Sequence, residues 1–100
     1  MSAYWIAERL RAVANIVVQN KTKLSLSLEG TSKPIHVYVV DNDYCLDQEI
    51  VSRAIEEGDE HIVYFSVTRP TTAGAEFAKT HGVKIWPIGK FLTAVSKGRI

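Results

Sequence analysis

"HIVYFSVTRPTTAGAEFAKTHGVKIWPIGKFL", residues 61–92, packs strand, helix, strand and helix into about a third of the chain. "HIVYFSV" is a nearly continuous apolar run, as expected of a strand buried on both faces. "TRPTT" reads as a loop. "AGAEFAKTH" reads as a short helix stopped by Gly82, with Thr72 as its candidate cap. "VKIWP" is a short strand ended by Pro87, and "KFLTAVSK" a last helix ended by Gly98. Strand, helix, strand in succession implies a right-handed crossover and parallel pairing. The unit therefore predicts a sheet edge and two helices that cover the faces of that sheet.

Upstream, "DNDYCLDQEIVSRAIEEGD" carries a helix with Leu46, Ile50, Val51, Ala54 and Ile55 on one face. Asp47 is placed to cap its start and Gly58 to follow its end. "IHVYVVD" is apolar on both faces and reads as a central strand. "KLSLSLEG" alternates, with Leu24, Leu26 and Leu28 inward and serines outward. The turn "GTSKP" makes these two strands an antiparallel hairpin. "SAYWIAERLRAVANIVVQN" has helical period at Ala3, Ile6, Ala7, Leu10, Val13, Ala14, Val17 and Val18, so it predicts one long helix capped by Ser2. Trp5, Ala12 and Ile16 add a second apolar stripe to it, which is either covered by the same domain or used to form a homodimer through this helix. "NKT" is then a turn.

The predicted order is α-β-β-α-β-α-β-α. The class is α/β: a single mixed β-sheet, an N-terminal hairpin plus a parallel βαβ portion, with helices on both faces. One domain is expected over residues 1–100. Hydrophobic residues make up 46% and charged residues 23%, which is globular composition. A net charge of +1 excludes a field that draws the whole molecule to nucleic acid or membrane, so any basic site must be a local patch. Cys45 is alone, which allows no internal disulfide and fits a reducing compartment. There is no apolar run long enough for a membrane span and no signal-like start, so the expectation is a cytoplasmic protein with no membrane partner.

The stretch "IVYFSVTRPTTAGAEFAKTHG" with "VKIWPIG" and "KFLTAV" resembles the last third of restriction-endonuclease-like domains, those of the Mrr type in particular. The similarity covers about residues 47–95. It implies that fold, and a nuclease that holds Mg²⁺ on carboxylates of neighbouring strands, with a Lys near the second. Here the carboxylates are Glu29, at the end of the first strand, and Asp41, after the second. The Lys is missing, so the resemblance implies a degenerate member, with Mg²⁺ as cofactor only where nuclease activity is retained. "KPIHVYVV" is similar to the tRNA-splicing endonuclease catalytic domain, which places a His at the start of a strand. That makes His36 a general-base candidate. The matching Lys is absent, since "GDEHIVYF" offers Asp59, Glu60 and His61 there.

His36, His61 and His81 fall on separate elements without metal-ligand spacing, so no metal site is expected. "TRPTTAG" is the one loop with phosphate-binding character, through Arg69, Thr71, Thr72 and the helix start that follows. Lys21, Lys23 and Lys33 cluster in sequence around the first strand, and "KFLTAVSKGRI" adds Lys90, Lys97 and Arg99. The leading functional expectation is a small nucleic-acid-associated domain, catalytically inactive, partnered by DNA or RNA. The alternatives are a protein-interaction module, of the accessory, antitoxin or immunity type found on mobile elements, and an active nuclease.

Overall fold

In the computed structural model, which describes residues 2–28, 33–41 and 45–100, four helices surround a mixed five-stranded sheet. α1 (Ala3–Leu10) leads into β1 (Asn15–Asn20), β2 (Lys23–Ser27) and β3 (Ile35–Val40). A two-residue strand β4 (Cys45–Leu46) precedes α2 (Gln48–Glu56) and β5 (His61–Tyr64). A second short strand, β6 (Arg69–Pro70), precedes α3 (Thr72–Thr80), β7 (Lys84–Pro87) and α4 (Ile88–Ser96). The sheet order is β1-β2-β3-β5-β7, with β1, β2 and β3 antiparallel and β3, β5 and β7 parallel. β4 and β6 pair in parallel as a separate two-stranded ladder.

The class, the mixed sheet and the helices on both faces are as expected, but the order corrects the opening. The long first helix stops at Leu10, and Ile16, which the dimer expectation placed on that helix, lies in a strand. Helix period survives through Val18 by coincidence. Three consecutive β-branched residues, Ile16 to Val18, are stiff in a helix and fit a pleated surface. Their pairing with β2 (Ile16 to Leu26, Val17 to Ser25, Val18 to Leu24) supplies the hydrogen bonds that decide the outcome. The β1 side chains alternate, with Ile16 and Val18 half-buried and Val17 exposed.

Two apolar layers lie on opposite faces of the sheet. Ala3, Ile6 and Leu10 of α1 and Phe91 and Val95 of α4 pack on Leu24, Leu26, Val37, Val39 and Val63. Ile50, Val51 and Ala54 of α2 and Ala78 of α3 pack on Val40 and Ile62. The alternation of Val39 with Val40, and of Ile62 with Val63, divides each central strand between the two layers. β7 is the sheet edge, and α3 and α4 cover opposite faces beside it, as the sequence predicted.

The helix starts are tied locally. Asp47 accepts from Ile50 N at 3.1 Å to cap α2. Thr71, one residue before the predicted cap, accepts from Gly74 N at 3.0 Å to cap α3. Gly58, Gly82 and Gly98 follow α2, α3 and α4 with positive φ. Gly74 is where α3 meets the corner between β4 and α2, and a Cβ there would stand 2.6 Å from the Leu46 carbonyl oxygen.

Candidate nucleic-acid interface

β3 and β5 end at the same side of the sheet, and the loops that follow them meet in the β4–β6 ladder. Asp41, Arg69, Thr71 and Thr72 are gathered there. Arg69 and Thr72 are exposed. Thr71 is committed to its cap, and its backbone N–H donates to the Leu46 carbonyl at 3.0 Å. The loop is thus a helix-capping corner that leaves Arg69 and Thr72 on its surface.

The β1–β2 turn lies at this same side. The Thr22 carbonyl accepts from Val39 N at 2.8 Å, and the Lys21 carbonyl accepts from Ala3 N at 2.8 Å. Lys21 is exposed here. Lys33 precedes β3, so it stands at the other end of that strand, about 20 Å away at 3.3 Å per residue. Lys33 is therefore separated along the sheet from Lys21 and Lys23, which share the β1–β2 turn. Lys23 is committed elsewhere. Its ammonium pairs with Asp59 and, at 2.9 Å, with Glu57, and stands 5.1 Å from the Tyr38 ring centroid. Burial alone would lower the Lys23 ammonium, but its bonds to Asp59 and Glu57 carry it above the ordinary lysine value. Asp59 is pushed up by burial, and the Lys23 charge offsets that only in part. An ammonium held this way is a structural cation and is poorly placed to hold phosphate.

The two described catalytic candidates, His36 and Asp41, are apart as well. His36 sits half-buried in β3 opposite Ser25, and its carbonyl accepts from Glu60 N at 3.1 Å. Asp41 closes β3, whereas β2 runs antiparallel and leaves the sheet where β3 begins. Glu29 lies outside the described residues. Among the described residues, no three His, Cys, Asp or Glu side chains stand close enough to share a metal ion. No described helix is long and apolar enough to cross a membrane.

Charge is segregated along the chain. Residues 77–100 hold five cations, Lys79, Lys84, Lys90, Lys97 and Arg99, and no acid. Residues 41–60 hold eight acids and a single Arg53. The near-zero net charge hides this separation. The fold places the cationic segment at the β7 edge, where α3, β7 and α4 meet. A groove of about 500 Å³ runs along α4, with Pro87, Gly89 and Ala94 in its lining and Lys90, Lys97 and Arg99 around it. Lys90 and Lys97 are seven residues apart, hence on one face and about 10 Å apart along the axis. On the other side of β7 a groove of about 320 Å³ runs beside α3, with Lys79 and Lys84 in its wall.

An aromatic pair backs this edge. Trp86 Nε1 donates to His61 Nδ1 at 3.0 Å, and Trp86 meets Phe91 edge-on at 6.3 Å. The Lys84 ammonium stands 6.0 Å from the Trp86 ring. The signal available in sequence was the acid-free run, which average charge conceals. No known family, characterised protein or solved structure matches the chain.

Proposed function

We propose that this protein is a nucleic-acid-associated domain of restriction-endonuclease-like architecture, without a working nuclease site, that holds a phosphate backbone along α4 at the β7 edge. The observation that carries the reading is the α4 groove with Lys90, Lys97 and Arg99 around it, in a segment without one acid. Two cations about 10 Å apart on one helix face can hold separate phosphates of a backbone that carries one charge per about 3.4 Å of helix axis on each strand. The acidic α2 region turns the opposite sign outward, so a polyanion is attracted to one side of the molecule and repelled from another. The similarity of residues 47–95 to the Mrr type supports the architecture. The acid-free β3, whose polar side chains are His36 and Tyr38, supports loss of catalysis.

The test is fluorescence anisotropy of labelled duplex DNA and structured RNA against salt concentration, with a cleavage gel in Mg²⁺. Wild type is expected to bind at low salt without cleaving. The triple variant Lys90→Ala/Lys97→Ala/Arg99→Ala should bind at least about tenfold more weakly and flatten the log–log salt slope by roughly two to three. Arg69→Ala and Lys21→Ala measure the separate loop site and should cost less. Unchanged binding in the triple variant sinks the reading, and cleavage that depends on Asp41 or His36 sinks the inactive assignment.

A further inference from the structure

We infer that the free edge of β1 pairs with β1 of a second copy, antiparallel about a two-fold axis at Val17, to join two five-stranded sheets into one. Among the described residues, β1 ends the sheet at the side opposite β7. Its six residues, Asn15–Asn20, contain no charge and no proline, the devices that ordinarily block edge-to-edge association. Val17, on the face that α1 and α4 do not cover, is 64% exposed, the most exposed large apolar side chain described.

The hydrogen-bond phase of the sheet fixes which groups the edge offers. The Thr22 carbonyl accepts from Val39 N, so Thr22, Leu24 and Leu26 turn their backbone groups toward β3. Lys23, Ser25 and Ser27 then turn theirs toward β1, where they meet Val17 and Asn15. Ile16 and Val18 are left with N–H and C=O groups pointing outward. Two such edges, placed antiparallel with Ile16 opposite the partner copy's Val18 position, exchange hydrogen bonds at both of those pairs. The two Val17 residues then face each other as a non-hydrogen-bonded pair, the closer kind.

The sequence about Val17 is symmetric in character. Asn-Ile-Val-Val-Gln, residues 15–19, reads amide, apolar, apolar, apolar, amide in either direction. In this register apolar residues meet apolar ones, and Asn15 meets the amide of the other copy's Gln19. No other antiparallel register sets all three central pairs apolar against apolar, and Gln19 flanks them within the irregularity between Val18 and Asn20. The irregularity in β1 falls between Val18 and Asn20, outside the three central residues. Self-complementarity of this kind selects a second copy of the same chain over an unrelated strand.

The experiment is sedimentation velocity over a concentration series, with disulfide trapping. Wild type is expected to shift from monomer toward dimer as concentration rises, and Val17→Lys to remain monomeric with an unchanged melting temperature. In a Cys45→Ser background, Val17→Cys should form a disulfide-linked dimer on mild oxidation, and Val13→Cys, also exposed but off the axis, should not. Wild type that sediments as a monomer at every concentration up to its solubility limit overturns the inference. So does a dimer that survives Val17→Lys, or equal cross-linking from both cysteine variants.

Discussion

His61 shows how one side chain is fixed by what surrounds it. It is 8% exposed, and its Nδ1 accepts the Trp86 indole N–H, so the neutral ring carries its proton on Nε2. Burial holds its pKa below the ordinary histidine value of 6.5, with Lys84 acting in the same direction against Glu60. The folded state therefore binds fewer protons than the unfolded chain just below 6.5, and stability falls as pH drops through that window. Trp86 fluorescence in a Trp5→Phe background should titrate with a midpoint below 6.5, and the melting temperature should fall with it. His61→Gln, which keeps an acceptor for the indole, should remove the fluorescence step. Lys23 has the opposite sign. Its raised pKa contributes stability that is complete below 10.5 and is lost as pH rises through the folded value. Lys23→Ala leaves the buried Asp59 carboxylate without its cation and should cost about 1–3 kcal/mol in urea unfolding.

Among the elements, α3 depends on one glycine. Replacement of an exposed helical glycine by alanine ordinarily stabilises by up to about 1 kcal/mol. At Gly74 the added methyl would meet backbone at 2.6 Å and 2.9 Å, which cannot move without shifting β4 or the cap of α2. Gly74→Ala should therefore destabilise by about 1–3 kcal/mol. Gly89→Ala in α4, where a Cβ meets nothing within 4 Å, should be neutral or stabilising. Differential scanning calorimetry of the two variants would settle the signs. The elements most legible in sequence were those with unambiguous punctuation: Asp47 before α2, Gly58 after it, Gly82 after α3, Pro87 at the end of β7. The N-terminal half of the fold was misread at one place. Apolar residues at 13, 14, 17 and 18 satisfy both a helix and a turn followed by a strand, and only a pairing partner separates the two. β4 and β6 carry no periodic signal at two residues each, so only the folded chain reveals them.

At the scale of the molecule, β3 and β5 are the strands paired on both sides and covered on both faces. Hydrogen exchange should be slowest at Val39, Ile62 and Val63 and fastest at the β1 edge amides of Ile16 and Val18. Addition of the protein to high concentration should slow those two edge amides selectively if the edge pairs with itself. The candidate site was legible only in part. The loop at Arg69 was legible from its residue types as an exposed corner before a helix, whereas Lys33 stands at the opposite end of β3 from the β1–β2 turn that carries Lys21 and Lys23, a separation their spacing in sequence does not show. The α4 groove depends on which residues a helix turns outward beside an edge, and a whole-chain charge of +1 gave no hint of it.

The strands lie across the sheet in the order in which they occur in the chain, and this bears on synthesis. α1 is translated before every strand it packs on, with Ala3, Ile6, Ala7 and Leu10 ready for burial. Leu24 and Leu26 can receive part of that surface soon after, but Phe91 and Val95, which complete the layer, are translated last. Until then α1 sits on a half-built floor with its apolar stripe partly wet. A nascent chain that holds β5 but lacks α4 therefore keeps part of that stripe in water, the kind of exposed apolar surface that favours aggregation.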